Sequence, residues 1–130
     1  CVKPVWAGTD AGTVLKSCVK PVCAGAAAGA GIAYLDGGGY KEACHAVVNA
    51  LSIVAGMVCD GAKPGCALKI ATAVNSAIRA ATMALNNIGA DAHDGIVTFD
   101  VEKTLENLGT LGNEGMAEAN SAILDMMLHK

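Results

Sequence analysis

The sequence predicts an all-α protein, a compact bundle with buried Ala- and Gly-rich helices and a cysteine-bearing loop. Apolar residues recur at helical spacing over several long stretches, and no stretch alternates convincingly in the manner of a strand. Of the 130 residues 53% are hydrophobic, only 3% are aromatic and 16 are glycines. Because the apolar residues are mainly Ala, Val, Ile, Leu and Met, the helices are expected to approach one another closely through small side chains.

The chain divides into a poorly specified lead-in, residues 1–17, and a helical domain, residues 18–130. The motif CVKPVW at the start returns as CVKPVC before the helical domain, but a single repeat does not make a solenoid. The first helix is predicted over residues 24–35, where Gly25 and Gly29 lie one turn apart and let another helix pack against the backbone. The sequence DGGG ends this helix.

A second helix is predicted from about Tyr40 to Met57, and a third from about Cys66 to Asn87. They are separated by the cysteine-bearing loop, and IGADAHDG after the third helix reads as another loop. The inward face of the third helix is predicted from its apolar spacing to contain Leu68, Ile70, Ala73, Val74, Ala77, Ile78, Ala81 and Leu85.

The C-terminal part is predicted to contain two further helices. Asp100 is suited to cap a helix that runs through Leu108, with Glu102 in its first turn. The sequence GTLG is expected to break the chain after this helix. Asn113 is then expected to cap a last helix that ends near Leu128.

The charge pattern and hydropathy exclude two classes of partner. A net charge of −3 and a pI near 5.5, without a basic stripe, exclude a nucleic-acid interface. The apolar runs 21–35 and 43–59 are shorter than the roughly 20 residues that a bilayer span requires, so no membrane partner is expected. The chain begins with Cys1 and has no signal-peptide pattern, which favours a cytoplasmic fragment or processed product.

Six cysteines lie in the first half of the chain: Cys1, Cys18, Cys23, Cys44, Cys59 and Cys66. A disulfide framework is typical of small secreted domains that lack a sufficient core. This chain has enough apolar residues for a core and no export signal, so metal or cluster chemistry in a reducing compartment is the favoured interpretation. Cys44, in the middle of a predicted helix, is interpreted as a small hydrophobic residue.

The sequence GMVCDGAKPGC places Cys59 and Cys66 on either side of a predicted turn at Lys63-Pro64-Gly65. A gap of six residues is wide for a zinc knuckle, whereas iron–sulfur clusters accept varied spacing. Cys66 begins a predicted helix, where the positive end of the helix dipole favours a thiolate. Spacing alone leaves a metal or cluster site and two unlinked core cysteines equally open.

Other catalytic patterns are weak. The Ala/Gly-rich segment lacks both the third glycine and the preceding strand of a dinucleotide fingerprint, and no serine has the surroundings of an esterase nucleophile. His45, His93 and His129 are scattered and form no zinc pair. Asp60, Lys63 and Lys69 are interpreted as a turn residue and two solvated lysines.

The segment GMVCDGAKPGCALKIATAVNSAIRAATMAL resembles the C-terminal part of the L-cysteine desulfidase family, which is related to the α-chain of iron–sulfur L-serine dehydratases. The segment PVCAGAAAGAGIAYLDGGGY before it, and DGIVTFDVEKTLENLGTLGNEGMAEANSAILDMM after it, extend the resemblance to residues 18–130. The box VCDGAKPGC is its most specific element.

The resemblance implies a 4Fe-4S cluster held by Cys23, Cys59 and Cys66, with one iron left open. Cys18 is the alternative to Cys23, because the alignment of this region needs a gap. The implied reaction is α,β-elimination of L-cysteine to pyruvate, ammonia and sulfide, or of L-serine with loss of water, without pyridoxal phosphate. No catalytic base is assigned.

The resemblance also implies partners, since family members are considerably longer than this chain. Beside a small amino-acid substrate, the chain is expected to need a partner chain or to form a homo-oligomer. The alternative is a non-enzymatic helical protein that keeps the fold and assembles with itself or another chain. Disulfide-based redox chemistry is a third, weaker hypothesis.

Overall fold

The computed structural model describes residues 19–57 and 64–129, and every regular element within these ranges is helical. The all-α prediction is therefore confirmed. The predicted lead-in, residues 1–17, lies outside the described residues. In chain order the elements are α1 (Val19–Leu35), α2 (Tyr40–Val54), α3 (Pro64–Leu85), α4 (Val101–Thr110), a π-helical turn (Leu111–Gly115) and α5 (Ala117–Leu128).

The helices α1, α2 and α3 pack against one another and form the core. Gly25 of α1 lies against Ala73 of α3, and Ala33 near the end of α1 packs with Ala81. The two helices therefore run parallel. Helix α2 is antiparallel to both, because its early residue Ala46 packs with Ala33. Its late residues Leu51 and Val54 pack instead with residues at the start of α1.

The glycines of α1 permit these close approaches, as the sequence predicted. A Cβ added at Gly25 would lie 3.1 Å from the carbonyl oxygen of Ala73 in α3. A Cβ at Gly29 would lie 3.3 Å from the carbonyl oxygen of Ala46 in α2. The two glycines thus allow α1 to pack closely on two helices, on α3 at Gly25 and on α2 at Gly29. The prediction began α1 at residue 24, but it begins at Val19, because Pro21 fits the first turn of a helix.

The inward face of α3 agrees with the prediction at Ala73, Ala77 and Ala81 and differs from it at the larger residues. Alanines fill it, and the buried residues are Ala73, Ala77, Ala80, Ala81 and Ala84. The predicted inward residues Leu68, Val74 and Ile78 are exposed by 72%, 37% and 50%. The reason is the short distance to the α1 backbone, which a larger side chain on α3 would increase.

Both parallel helices end in the same type of cap, a Schellman motif. After α1, Gly37 has a positive φ of 92°, and the N–H of Gly38 donates to the carbonyl of Ala33 at 2.8 Å. After α3, Asn87 has a φ of 56°, and the N–H of Ile88 donates to the carbonyl of Met83 at 2.8 Å. The chain therefore leaves both helices in defined directions.

The buried side chain of Asn49 joins α2 to the end of α3. Its Nδ2 donates to the carbonyls of Ala80 and Ile88, at 3.3 and 3.0 Å. Its Oδ1 accepts from the N–H of Ala90 at 2.9 Å. This amide fixes the predicted loop after α3, and the sequence analysis did not identify it.

Two side chains of α4 hold the rest of that loop. The buried Thr104 accepts from the N–H of Thr98 at 3.1 Å, and Asn107 donates to the carbonyl of Ile96 at 2.9 Å. Asp100 caps α4 as predicted, accepting from the N–H of Glu102 at 3.0 Å. These hydrogen bonds fix α4 to the loop, and α4 packs against α2.

The predicted break after α4 is wrong. The helical backbone continues through the π-helical turn as far as Gly115, and Leu111 keeps right-handed helical angles. The residue that precedes α5 is Met116, not Asn113, and it makes no side-chain cap. Two glycines lower the helix propensity of this segment, but the helical backbone is interrupted only at Met116, which has a φ of −101° and a ψ of 9°. Among the described elements, α5 contacts only the π-helical turn.

No helix within residues 19–57 and 64–129 combines the length and the hydrophobicity that a bilayer crossing requires.

The start of α2 supports a pH-dependent prediction. The N–H of Gly39 donates to Glu42 at 2.8 Å, and backbone N–H groups lower the pKa of Glu42 below its ordinary value of 4.5. A carboxyl group with a lowered pKa in the folded state stabilises the fold at pH values above its unfolded-state pKa. This stabilisation is lost as the pH falls through the folded-state pKa. Glu42→Ala is therefore expected to lower the melting temperature at pH 7 but not at pH 3, measured by circular dichroism. Glu42→Gln keeps an acceptor oxygen, so its melting temperature at pH 7 is expected to fall less than that of Glu42→Ala. An equal decrease for Glu42→Ala at pH 7 and pH 3 would contradict a stabilising role of the Glu42 carboxylate.

Candidate functional site

The candidate site lies at the end of the bundle where α1 and α3 begin and α2 ends. Because α1 and α3 are parallel and α2 is antiparallel, these three helix ends are brought together. A hydrophobic cluster fills this end, formed by Val22, Ala26, Leu51, Val54 and Ala73, with Val47, Met57, Leu105 and Leu108 packed against it. Two of the three cysteines predicted to bind an iron–sulfur cluster, Cys23 and Cys66, lie at this end of the bundle.

Cys23 lies near the start of α1 and is half-buried. The predicted helix began directly after Cys23, whereas in the structure Cys23 lies in the second turn of α1, four residues after Val19. Burial raises the pKa of the Cys23 thiol, and a backbone hydrogen bond opposes this to a smaller extent. The thiol is therefore protonated near neutral pH, and a bound metal would have to displace that proton.

Cys66 lies in the first turn of α3 and is half-buried. Its spacing to Ala73 and Ala77 places it on the alanine face, which is the face directed at α1. Because Gly25 lies against Ala73, Cys23 is level with Ala71 along the parallel helices. Cys66 lies five residues before Ala71, which corresponds to about 8 Å at 1.5 Å per residue. The first residue of α3 is Pro64, a favoured residue at that position, so the helix begins two residues earlier than predicted.

The third predicted ligand, Cys59, lies outside the described residues, as do the alternative Cys18 and the flanking Asp60 and Lys63. Within the described ranges, no three His, Cys, Asp or Glu side chains are grouped so that they could hold a metal ion. Two thiols at one end of the bundle match the sulfur donors of an iron–sulfur cluster, which needs a further ligand from elsewhere in the chain.

Cys44 lies toward the opposite end of the bundle. It is in the first half of α2 and half-buried, ten residues before Val54, which corresponds to about 15 Å along the helix. A side-chain hydrogen bond with Cys44 raises the pKa of Tyr40, and the carboxylates of Glu102 and Asp100 add smaller effects in the same direction. Its position fits the prediction of a structural residue.

Within the described residues, the three histidines do not belong to any group of side chains that could hold a metal ion. His45 is half-buried in α2, whereas His93 and His129 are exposed. His93 Nδ1 lies 2.7 Å from Asp91 Oδ1, and the backbone N–H of His93 lowers the pKa of Asp91. His93 therefore belongs to a surface turn.

The comparison with family models identifies one match. Residues 13–125 match the model of the family described as serine dehydratase alpha chain. The match includes all three predicted cluster ligands and the whole core of α1, α2 and α3.

Curated relatives support this match. A UPF0597 protein of Oleidesulfovibrio alaskensis is 47% identical over 102 residues, and one of Desulfitobacterium hafniense is 50% identical over 102 residues; both alignments cover 78% of this chain and 24% of the relative. A UPF0597 protein of Bacteroides fragilis is 44% identical over 100 residues, covering 77% of this chain and 23% of the relative. The chain thus spans about a quarter of the length of these relatives. No solved structure matches.

Proposed function

The chain belongs to the serine dehydratase alpha chain family, and from this premise we propose that it is the cluster-binding part of a carbon–sulfur or carbon–oxygen lyase. The proposed reaction removes sulfide from L-cysteine, or water from L-serine, and gives pyruvate and ammonia. L-Cysteine is the first candidate substrate, because the cysteine box of this chain resembles that of L-cysteine desulfidases. The reducing cytoplasm is the compartment in which such thiols persist.

The observation that carries the proposal is the placement of Cys23 and Cys66 at one end of the bundle. They are 43 residues apart in sequence, and the parallel packing of α1 on α3 brings both to the same end. Cys59 is the proposed third ligand, since it lies between Met57 and Pro64, which flank this end. These three thiolates would hold a 4Fe-4S cluster and would leave one iron without a protein ligand, and that iron would act on the substrate as a Lewis acid.

The residues of this chain have three tasks in the proposed reaction. Cys23, Cys59 and Cys66 supply thiolates. The apolar side chains at this end of the bundle, among them Leu51 and Val54, exclude water from one side of the site and strengthen electrostatic interactions there. The close contact at Gly25 fixes the position of α1 relative to α3, and thereby of Cys23 relative to Cys66.

A partner region is the proposed source of the remaining catalytic groups. The chain spans about a quarter of its curated relatives, so most of their length has no counterpart in it. We assign the base that removes the α-proton, and the pocket that selects the substrate, to that region, whether it is a separate chain or part of the same polypeptide.

The proposal is tested by combining the chain, reconstituted with iron and sulfide without oxygen, with the remaining three quarters of a curated relative. Release of pyruvate and sulfide from L-cysteine, or of pyruvate alone from L-serine, is expected only from the combination. The same combination with Cys66→Ser is expected to lose activity, whereas Cys44→Ser is expected to keep it. Equal turnover with metal-free chain would contradict the proposal and favour a structural role for this fold.

A further inference from the structure

Helix α4 packs against the hydrophobic cluster at the cysteine end of the bundle. Two of its side chains, Leu105 and Leu108, are half-buried and pack on this hydrophobic cluster. They come from the C-terminal part of the chain, far in sequence from Cys23 and Cys66. The fold therefore brings a fourth helix to the end of the bundle at which the iron ligands are predicted.

The same hydrophobic cluster contains residues from the two helices that carry described cysteines. Val22, one of its members, directly precedes Cys23 in α1. Ala73, another member, lies about two turns after Cys66 in α3. A side chain that packs on this hydrophobic cluster therefore supports both helices close to their cysteines.

The segment that leads to the third predicted ligand also packs on the hydrophobic cluster. Val54 at the end of α2 is one of its members, and Met57 packs against it. The N–H of Met57 donates to the carbonyl of Val54 at 3.0 Å. Met57 is two residues before Cys59 in the sequence. The hydrophobic cluster thus joins the segments next to Cys23 and Cys59 with the helix that carries Cys66.

The position of α4 is fixed by polar contacts that do not involve the hydrophobic cluster. Asp100 caps its first turn. The buried Thr104 accepts from the N–H of Thr98 at 3.1 Å, and Asn107 donates to the carbonyl of Ile96 at 2.9 Å. Because these hydrogen bonds tie α4 to the loop before it, its two leucines are held against the cysteine end independently of any metal.

On the basis of the proposed function, we propose that Leu105 and Leu108 are positioning residues for the iron–sulfur cluster. Through the hydrophobic cluster they hold the start of α1, the end of α2 and the start of α3 at a fixed separation. Ligands that are already in place lose less conformational freedom when iron binds, so the site holds iron more tightly. Groups that support metal ligands from outside typically account for about 10- to 100-fold in metal affinity.

The first test compares Leu108→Ala with Ile32→Ala in chains reconstituted with iron and sulfide without oxygen. Both changes shorten a half-buried aliphatic side chain, but Ile32 packs against the alanines at the opposite end of the bundle. Both are expected to lower the melting temperature, measured by circular dichroism. Only Leu108→Ala is expected to accelerate the transfer of iron to EDTA, by at least about tenfold, followed as loss of visible absorption. Leu108→Met nearly conserves the side-chain volume and is expected to release iron at the rate of the unchanged chain.

A second test uses the metal-free chain. Leu108→Ala is expected to accelerate hydrogen exchange at the amide of Met57, because the end of α2 loses a side chain that packs on it. Ile32→Ala is expected to leave that exchange rate unchanged, since Ile32 packs at the other end of α1. This measurement reports the support of the cysteine end without iron and without turnover.

Equal rates of iron transfer from Leu108→Ala and Ile32→Ala would overturn the positioning role and leave the proposed function standing, because the unchanged chain would still hold iron. Exchange at Met57 that Leu108→Ala does not accelerate would overturn the positioning role in the same way. An unchanged chain that holds no iron after reconstitution would overturn the proposed function, and the positioning role with it.

Discussion

Replacing Gly29 with leucine is expected to lower the free energy of unfolding by about 3 kcal/mol, an overpacking penalty at the upper end of the usual range. A Cβ at this position lies 3.3 Å from the carbonyl oxygen of Ala46 and 3.7 Å from the Cβ of Ala50. The rest of a leucine side chain must separate α1 from α2, because the neighbouring atoms belong to helix backbone and to an alanine that has no flexible end. The measurement is urea unfolding followed by circular dichroism.

Gly31 provides the matched control, since it lies two residues later in the same helix. It is exposed, and a Cβ there would meet no atom within 4 Å. Gly31→Leu is expected to stabilise the protein by up to about 1 kcal/mol, because leucine has a higher helix propensity than glycine. Equal effects at Gly29 and Gly31 would show that α1 is not packed closely on α2.

Replacing Asn49 with alanine is expected to cost about 3 kcal/mol of unfolding free energy. Asn49 is 1% exposed and makes three hydrogen bonds to backbone groups of Ala80, Ile88 and Ala90. Its removal leaves these groups without their partner and leaves a void between α2 and α3. Hydrogen exchange at the amide of Ala90 is expected to accelerate, because that N–H donates to the lost oxygen.

Asn75→Ala serves as the control for this change, since Asn75 is exposed on α3. It is expected to alter the unfolding free energy by less than about 0.5 kcal/mol. A loss at position 49 no greater than that at position 75 would mean that the loop after α3 is fixed by other contacts, such as those of Thr104 and Asn107.

The sequence predicted the helices well where glycine and alanine spacing determined the packing. The close contacts at Gly25 and Gly29 and the cap at Asp100 are confirmed. The exposure of the larger apolar residues of α3 was not predictable from hydrophobicity, because the short distance to α1 selects alanine for the inside and leaves Leu68 and Ile78 outside. The extension of the helical backbone beyond α4 as far as Gly115 was also missed, since propensity alone does not decide where a helix ends.

The candidate site was predictable only in part. Helix order brings Cys23 and Cys66 to the same end of the bundle, which their positions in the sequence do not reveal. Cys59 remains a prediction, because it lies outside the described residues. Asn49 was missed because a single amide in an apolar run gives no hydrophobic signal; its isolation among apolar neighbours in α2 was the available indication of a buried polar contact.

The central claim, that Cys23, Cys59 and Cys66 hold one cluster, is tested most directly by counting iron and sulfide after anaerobic reconstitution. About four of each per chain, with broad visible absorption, is the expected result for the unchanged protein and for Cys44→Ser. Cys23→Ser, Cys59→Ser and Cys66→Ser should each bind substantially less iron. A chain that stays colourless while remaining folded and helical would contradict the account, and so would iron binding that is unaffected by all three substitutions.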